Sequence, residues 1–154
     1  MMAKQIRELQ VAALCNGTAI DHIPPKQLFK VVSLLNLADL KYPITIGNNL
    51  ESKKMGVKGI IKISDKFFEQ EDIDKLALVA PNVVLNVIKD YQVIAKKRVK
   101  LPQVITGIVK CNNPKCITNN EPMLTRFEVI DSENVVLNCH YCDIKIQKEE
   151  IILK

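Results

Sequence analysis

Four of the chain's five cysteines fall in its last 44 residues, as Cys111-x4-Cys116 and Cys139-x2-Cys142 with 22 residues between the pairs. Each short pair can bring two thiolates to one point, and two such knuckles close a tetrahedral S4 shell around a structural Zn2+, one ion per chain. The intervening 22 residues are enough for a hairpin. A shell of four thiolates has no open position for solvent or substrate, so this zinc holds a domain together and does not activate water. Disulfides within the pairs would staple only tiny loops. A redox reading of Cys139-x2-Cys142 expects the motif to open a helix, whereas its flanks read as strands. His140 is a spare donor beside a complete shell, and Cys15, alone in an apolar stretch, reads as a core residue.

Other residue types that could do chemistry are sparser. Asp21-His22 lacks a nucleophile with a local signature to serve, and no G-x-x-x-x-G-K loop is present to cradle phosphates for hydrolysis. Both observations point away from an enzyme. The charge is split: residues 1–100 hold 16 of the 22 Lys and Arg against 10 of the 17 acids, while the tail is slightly acidic. A basic first domain suits an anionic ligand. A zinc-ribbon nucleic-acid-binding protein is the alternative, but it expects lysines and aromatics clustered on the ribbon, and the chain has no Trp, 4 Phe and 3 Tyr. No nucleic acid is therefore expected as a partner, and without an apolar run suited to a membrane no membrane is expected either. MMAKQIRELQ lacks the apolar core of a signal peptide, which places the thiols in a reducing cytoplasm.

The elements that must position these residues can be read from periodicity. Residues 8–14 alternate up to Asn16-Gly17, a tight-turn signal, and Thr18 to Ile23 leads out as a strand. Pro24-Pro25 opens a helix with Leu28, Val31, Val32 and Leu35 at helical spacing, ending near Asn36. A strand from Pro43 to Gly47, a polar loop Asn48 to Gly56 and a strand Val57 to Ile63 follow. Glu69, Glu71 and Asp72 suit the start of a second helix, with Ile73, Leu76, Ala77 and Ala80 as its buried stripe and Pro81 as its stop. Asn82 to Lys89 and Tyr91 to Lys97 read as two strands joined at Asp90.

This order predicts an α+β fold, a ferredoxin-like open antiparallel sheet with two helices on one face and the other face free. Lys96 to Pro102 reads as a linker, dividing the chain into domains 1–100 and 101–154. Beyond it, Ile105 to Val109, Thr125 to Ile130, Val135 to Asn138 and Ile144 to Gln147 bracket the knuckles as strands of a small all-β, zinc-ribbon-like domain. Some 50 residues bury little apolar surface, and a bound metal offsets that, typically by on the order of 10 kcal/mol.

Gly17 to Pro24 (GTAIDHIP), Ile44 to Leu50 (ITIGNNL), Met55-Gly56, Leu76 to Asn82 (LALVAPN) and the four cysteines, taken in this order, resemble the regulatory chain of aspartate carbamoyltransferase. The resemblance implies a non-catalytic allosteric subunit of pyrimidine biosynthesis. It would pair with itself through domain 1–100 and grip the catalytic chain through the zinc domain 101–154, so that three regulatory dimers link two catalytic trimers. CTP and ATP compete for one site in the family, and UTP acts together with CTP in some members. Carried over by position, Val11, Ala13 and Leu14 would lie near the base, Asp21 at the ribose, Lys62, Asn86 and Tyr91 around base and sugar, Lys96 at phosphate, and His22 near the phosphates. Two positions depart from the pattern: the residue before the second cysteine, often asparagine, is Lys115, and a basic residue used near the triphosphate in some members is Glu8.

Overall fold

The computed structural model describes residues 13–154 and divides the chain into two compact units, one ending at Val99 and the other spanning Lys100–Lys154. Val11, Glu8 and most of the alternating stretch 8–14 lie outside the described residues.

The first unit is α+β. Strands β1 (Gly17–Ile23), β2 (Ile44–Ser52), β3 (Gly56–Ser64), β4 (Val84–Lys89) and β5 (Gln92–Arg98) form one antiparallel sheet in the order β2-β3-β1-β4-β5. Helix α1 (Leu28–Leu34) connects β1 to β2, and α2 (Gln70–Val79) connects β3 to β4. This is the ferredoxin-like βαββαβ path with β5 added as a hairpin at one edge. Side chains alternate across a strand, so Ile20, Ile61 and Ile63 point to one face, where they are fully buried together with Leu28 and Val31 of α1 and Leu76, Ala77 and Leu78 of α2. Gly59 shares that face because a Cβ there would press on Leu28.

Local chemistry explains where elements start and stop. A Cβ at Gly17 would collide with the Ile63 carbonyl oxygen, and its φ of 143° is open only to glycine, so β1 begins there. A turn of 3-10 helix, Pro25–Gln27, precedes α1, and Asn36 in the left-handed region ends the helical run. Asp72 Oδ2 accepts a hydrogen bond from the Glu69 N–H at 3.4 Å at the start of α2. Asp90 and Tyr91, both at positive φ, form the two-residue turn between β4 and β5, as a right-twisted hairpin requires. Tyr91 is thus a turn residue and not the first residue of a strand. β2 runs five residues past the expected Gly47, because a bulge at Asn48–Asn49, with Asn49 at φ 57°, lets pairing resume at Leu50.

The second unit is mainly β, with one short helix. β6 (Val104–Thr106), β8 (Arg126–Asp131), β9 (Val136–Cys139) and β10 (Lys145–Ile146) form a sheet in the order β10-β9-β8-β6, and β7 (Val109–Lys110) pairs with β11 (Ile152–Leu153). The single strand expected over Ile105 to Val109 is broken at Gly107, whose φ of 75° turns the chain away from β8. Its core is Ile105, Val109, Phe127, Leu137 and Ile146, all 2% exposed or less. A four-residue helix α3 (Ile117–Asn120), absent from the periodicity, follows the first knuckle. Among the described residues no helix is long and apolar enough to cross a membrane.

Candidate functional site

The thiols of Cys111, Cys116, Cys139 and Cys142 lie within 4.8 Å of one another. Cys111 sits just past β7, Cys116 just before α3, Cys139 at the end of β9 and Cys142 in the turn before β10, so the hairpins themselves converge the two pairs. The Cys111–Cys142 and Cys116–Cys139 sulfur pairs are 3.6 Å and 3.8 Å apart. A tetrahedral zinc shell with Zn–S near 2.3 Å has sulfur–sulfur edges of about 3.8 Å, whereas a disulfide is about 2.05 Å. The donor set and its spacing therefore fit a structural zinc, and the contacts cross from one knuckle to the other.

The thiols differ in how readily they ionise. Burial pushes Cys111 up to about 12, against the Asn113 N–H and reinforced by the neighbouring thiols. Burial acts in the same direction on Cys116, but hydrogen bonds from the Thr118 hydroxyl and N–H and from Cys139 and Cys111 bring it down to about 7. A divalent cation is what makes all four thiolates stable together, and its binding releases their protons.

A second constellation lies in the first unit, on the face opposite the helices. Register places Lys62 of β3 opposite Ala19 of β1, Ala19 opposite Asn86 of β4, and Asn86 opposite Lys96 of β5, a row across four strands. Directly opposed residues of an antiparallel sheet share a face, so Lys62, Asn86 and Lys96 project together. Asn86 Oδ1 is buried with no hydrogen-bond partner among the described residues. Burial holds Lys62 below the usual lysine range, with Asp21 pulling the other way.

Asp21 and His22 lie toward the end of β1, two and three residues beyond Ala19, at a bulge where His22 takes φ 59°. Asp21 Oδ1 accepts from the His22 N–H at 2.6 Å and pairs with Lys58 at 2.8 Å. Burial lowers the His22 pKa; Asp21 opposes that, and Lys58, Lys54 and Lys96 add to it. Those lysines make this end strongly positive. The other end is apolar: Leu14 packs with Ala19 and Ile88, and the Tyr91 N–H donates to the Cys15 carbonyl at 2.9 Å, leaving the Tyr91 ring 68% exposed. Ala13 is exposed beside Leu14.

Thus three of the expected site residues share one row, Asp21 and His22 flank it at a cationic end, and Leu14 and Tyr91 belong to the opposite end. Lys58 is the residue that sequence reasoning missed. Its signal was spacing, since Lys58 and Lys62 lie four apart on one strand and so on one face.

A family model described as the aspartate carbamoyltransferase regulatory chain, allosteric domain, matches residues 9–100, and one described as the metal binding domain of the same chain matches residues 103–152. The chain is 64% identical to an aspartate carbamoyltransferase regulatory chain of Parabacteroides distasonis over the whole of both proteins. It is 60% identical to that of Phocaeicola vulgatus, covering 99% of this chain and 98% of the relative. For Pyrococcus abyssi the identity is 44%, over 94% of this chain and 97% of the relative.

Proposed function

The chain belongs to the family of aspartate carbamoyltransferase regulatory chains, and from that premise we propose that its first unit binds CTP and ATP on the sheet face opposite the helices. The observation that carries this reading is the row Lys62–Ala19–Asn86–Lys96, which joins two cations to a buried amide oxygen with no donor among the described residues. A nucleoside triphosphate has matching parts in matching order: an apolar base with an amino group, a sugar diol and a chain of anions. The base lies toward Leu14, Ala13 and Tyr91, where its exocyclic amino group can donate to Asn86 Oδ1. The ribose meets Asp21, a carboxylate held in place through Oδ1 by Lys58 and the His22 N–H. The phosphates lie toward Lys96, Lys58 and His22, the end with the greatest positive charge.

The zinc unit grips the catalytic chain, and the first unit pairs with a second copy of itself, so that nucleotide binding at one place biases chemistry at another. In such an assembly this chain regulates, and turnover belongs to the catalytic chain. The reduced thiols of the metal site suit a cytoplasmic protein.

Mixing the full chain with the catalytic chain of aspartate carbamoyltransferase tests this directly. The expected result is a complex heavier than either component whose activity changes when CTP or ATP is added. Failure to associate, or association with activity indifferent to both nucleotides, would overturn the reading.

A further inference from the structure

The short helix α3 begins at the residue after Cys116, and its side chains turn back onto the first knuckle. Thr118 Oγ1 lies 3.1 Å from Cys116 Sγ, and Thr118 is only 6% exposed. A metal-bound thiolate has lost its proton, so in this contact only the hydroxyl has a hydrogen to give. The Asn119 amide donates to the Cys111 carbonyl at 2.9 Å and to the Asn113 carbonyl at 2.7 Å, while the Asn119 N–H donates to the Cys116 carbonyl at 2.9 Å. Asn120 repeats the pattern, donating to the carbonyls of Cys116 at 2.9 Å and Pro114 at 3.1 Å.

These bonds answer a geometric difficulty. A Cys-x4-Cys loop has two more residues than the Cys-x2-Cys knuckle opposite it, hence more ways to let its sulfurs drift, and a ligand set works only when held to within about 0.5 Å. Residues 112–115 form no strand of their own, and the Asn119 amide ties the start of that loop to its middle. We propose that α3 is the outer shell of the metal site, in which Thr118 donates its hydroxyl proton to the Cys116 thiolate and Asn119 fixes the loop that carries Cys111. Both are positioning residues. Thr118 also removes charge from one sulfur, whereas Asn119 touches no sulfur and acts only through the backbone.

The two roles predict different signatures in the full-length chain. Zinc affinity is read by competition with a chromophoric chelator, and the thiolate-to-metal charge-transfer band is read after substitution with Co2+. Thr118→Val should weaken zinc by roughly 10- to 100-fold and move the band to longer wavelength, because the sulfur lone pairs lose a stabilising donor. Thr118→Ser, which keeps the hydroxyl, should restore both. Asn119→Ala should weaken zinc while leaving the band where it was. A Thr118→Val chain with unaltered affinity and band would overturn the Thr118 role, as would a serine variant no nearer to the parent than valine. Asn119→Ala binding zinc as tightly as the parent would overturn the role of Asn119, and it decides that half even if the valine variant does not fold. A parent chain that takes up no cobalt would overturn the four-thiolate site itself and not its outer shell.

Discussion

Replacing Lys96 and Lys62 separately by alanine separates two cations that share one row of the sheet but not one environment. Lys96 is exposed on edge strand β5, whereas Lys62 is half-buried on β3 with its titration held below the usual lysine range by that burial. A charge-assisted contact to phosphate or base is worth about 1.5–3 kcal/mol, or ~12- to 160-fold in Kd. Water and salt screen the Lys96 contact, which places it at the low end, about 1.5 kcal/mol, and that loss should shrink as the Debye length falls from ~10 Å at 0.1 M salt to ~3 Å at 1 M. The Lys62 contact is less screened, so its removal should cost about 2–3 kcal/mol and change little with salt. Calorimetric titration of CTP into the full chain and both variants, at low and high salt, gives the loss for each variant at each salt concentration. A Lys96→Ala chain that binds CTP as the parent does, or two variants with the same salt dependence, would refute this assignment of the row.

Chelation, or the paired change Cys139→Ser and Cys142→Ser, should remove the zinc and with it on the order of 10 kcal/mol from the second unit. Hydrogen exchange should then show residues beyond about 100 unprotected and β1 to β5 still protected; full metal content in the double variant would contradict the ligand assignment. Gly17→Ala forces a Cβ against the Ile63 carbonyl at a backbone angle closed to alanine, so urea denaturation should report a loss of at least about 2 kcal/mol. An unchanged midpoint would show that β1 starts elsewhere. CTP affinity should fall as pH rises through the Lys62 titration, which lies below the usual 10.5, because only the ammonium gives a charge-assisted hydrogen bond to the oxygens of base and sugar. Bound nucleotide favours that ammonium, so binding in this range takes up protons, and the heat should depend on the buffer; Lys62→Ala should lose both effects. For stability the sign is the reverse of a paired lysine. The native state holds this proton less tightly than the unfolded chain, so the burial penalty acts fully below the native pKa and is relieved as pH rises past the unfolded value.

Much of the fold was legible because its signals are local. The alternation of Gly59, Ile61 and Ile63, the helical spacing of Leu28 and Val31 and the acidic start of α2 each lie within a dozen residues, and each marks an element found there. The cysteine spacing was equally direct, since ligand geometry constrains it. What escaped was non-local or too short to be periodic. The continuation of β2 to Ser52 runs through Asn48 and Asn49, which read as loop until pairing with β3 is known. Two-residue strands such as β7 and β11 show no alternation, and a four-residue helix shows no helical period. The Lys58–Asp21 pair joins residues 37 apart, and the alignment of Lys62, Asn86 and Lys96 depends on the register of three strand pairs, which sequence spacing cannot supply.

The central claim is that a nucleotide on the first unit and substrates on the catalytic chain favour different states of one assembly. Linkage makes that claim reciprocal: if CTP alters substrate affinity, a bisubstrate analogue bound to the catalytic chains must alter CTP affinity by the same factor. Calorimetry of CTP binding to the assembled complex, with and without the analogue, measures this factor. The account predicts a difference of roughly 5- to 150-fold, the range of about 1–3 kcal/mol usual for such coupling. Equal CTP affinities in the two conditions would contradict it, leaving a nucleotide-binding chain that regulates nothing through the equilibrium proposed here.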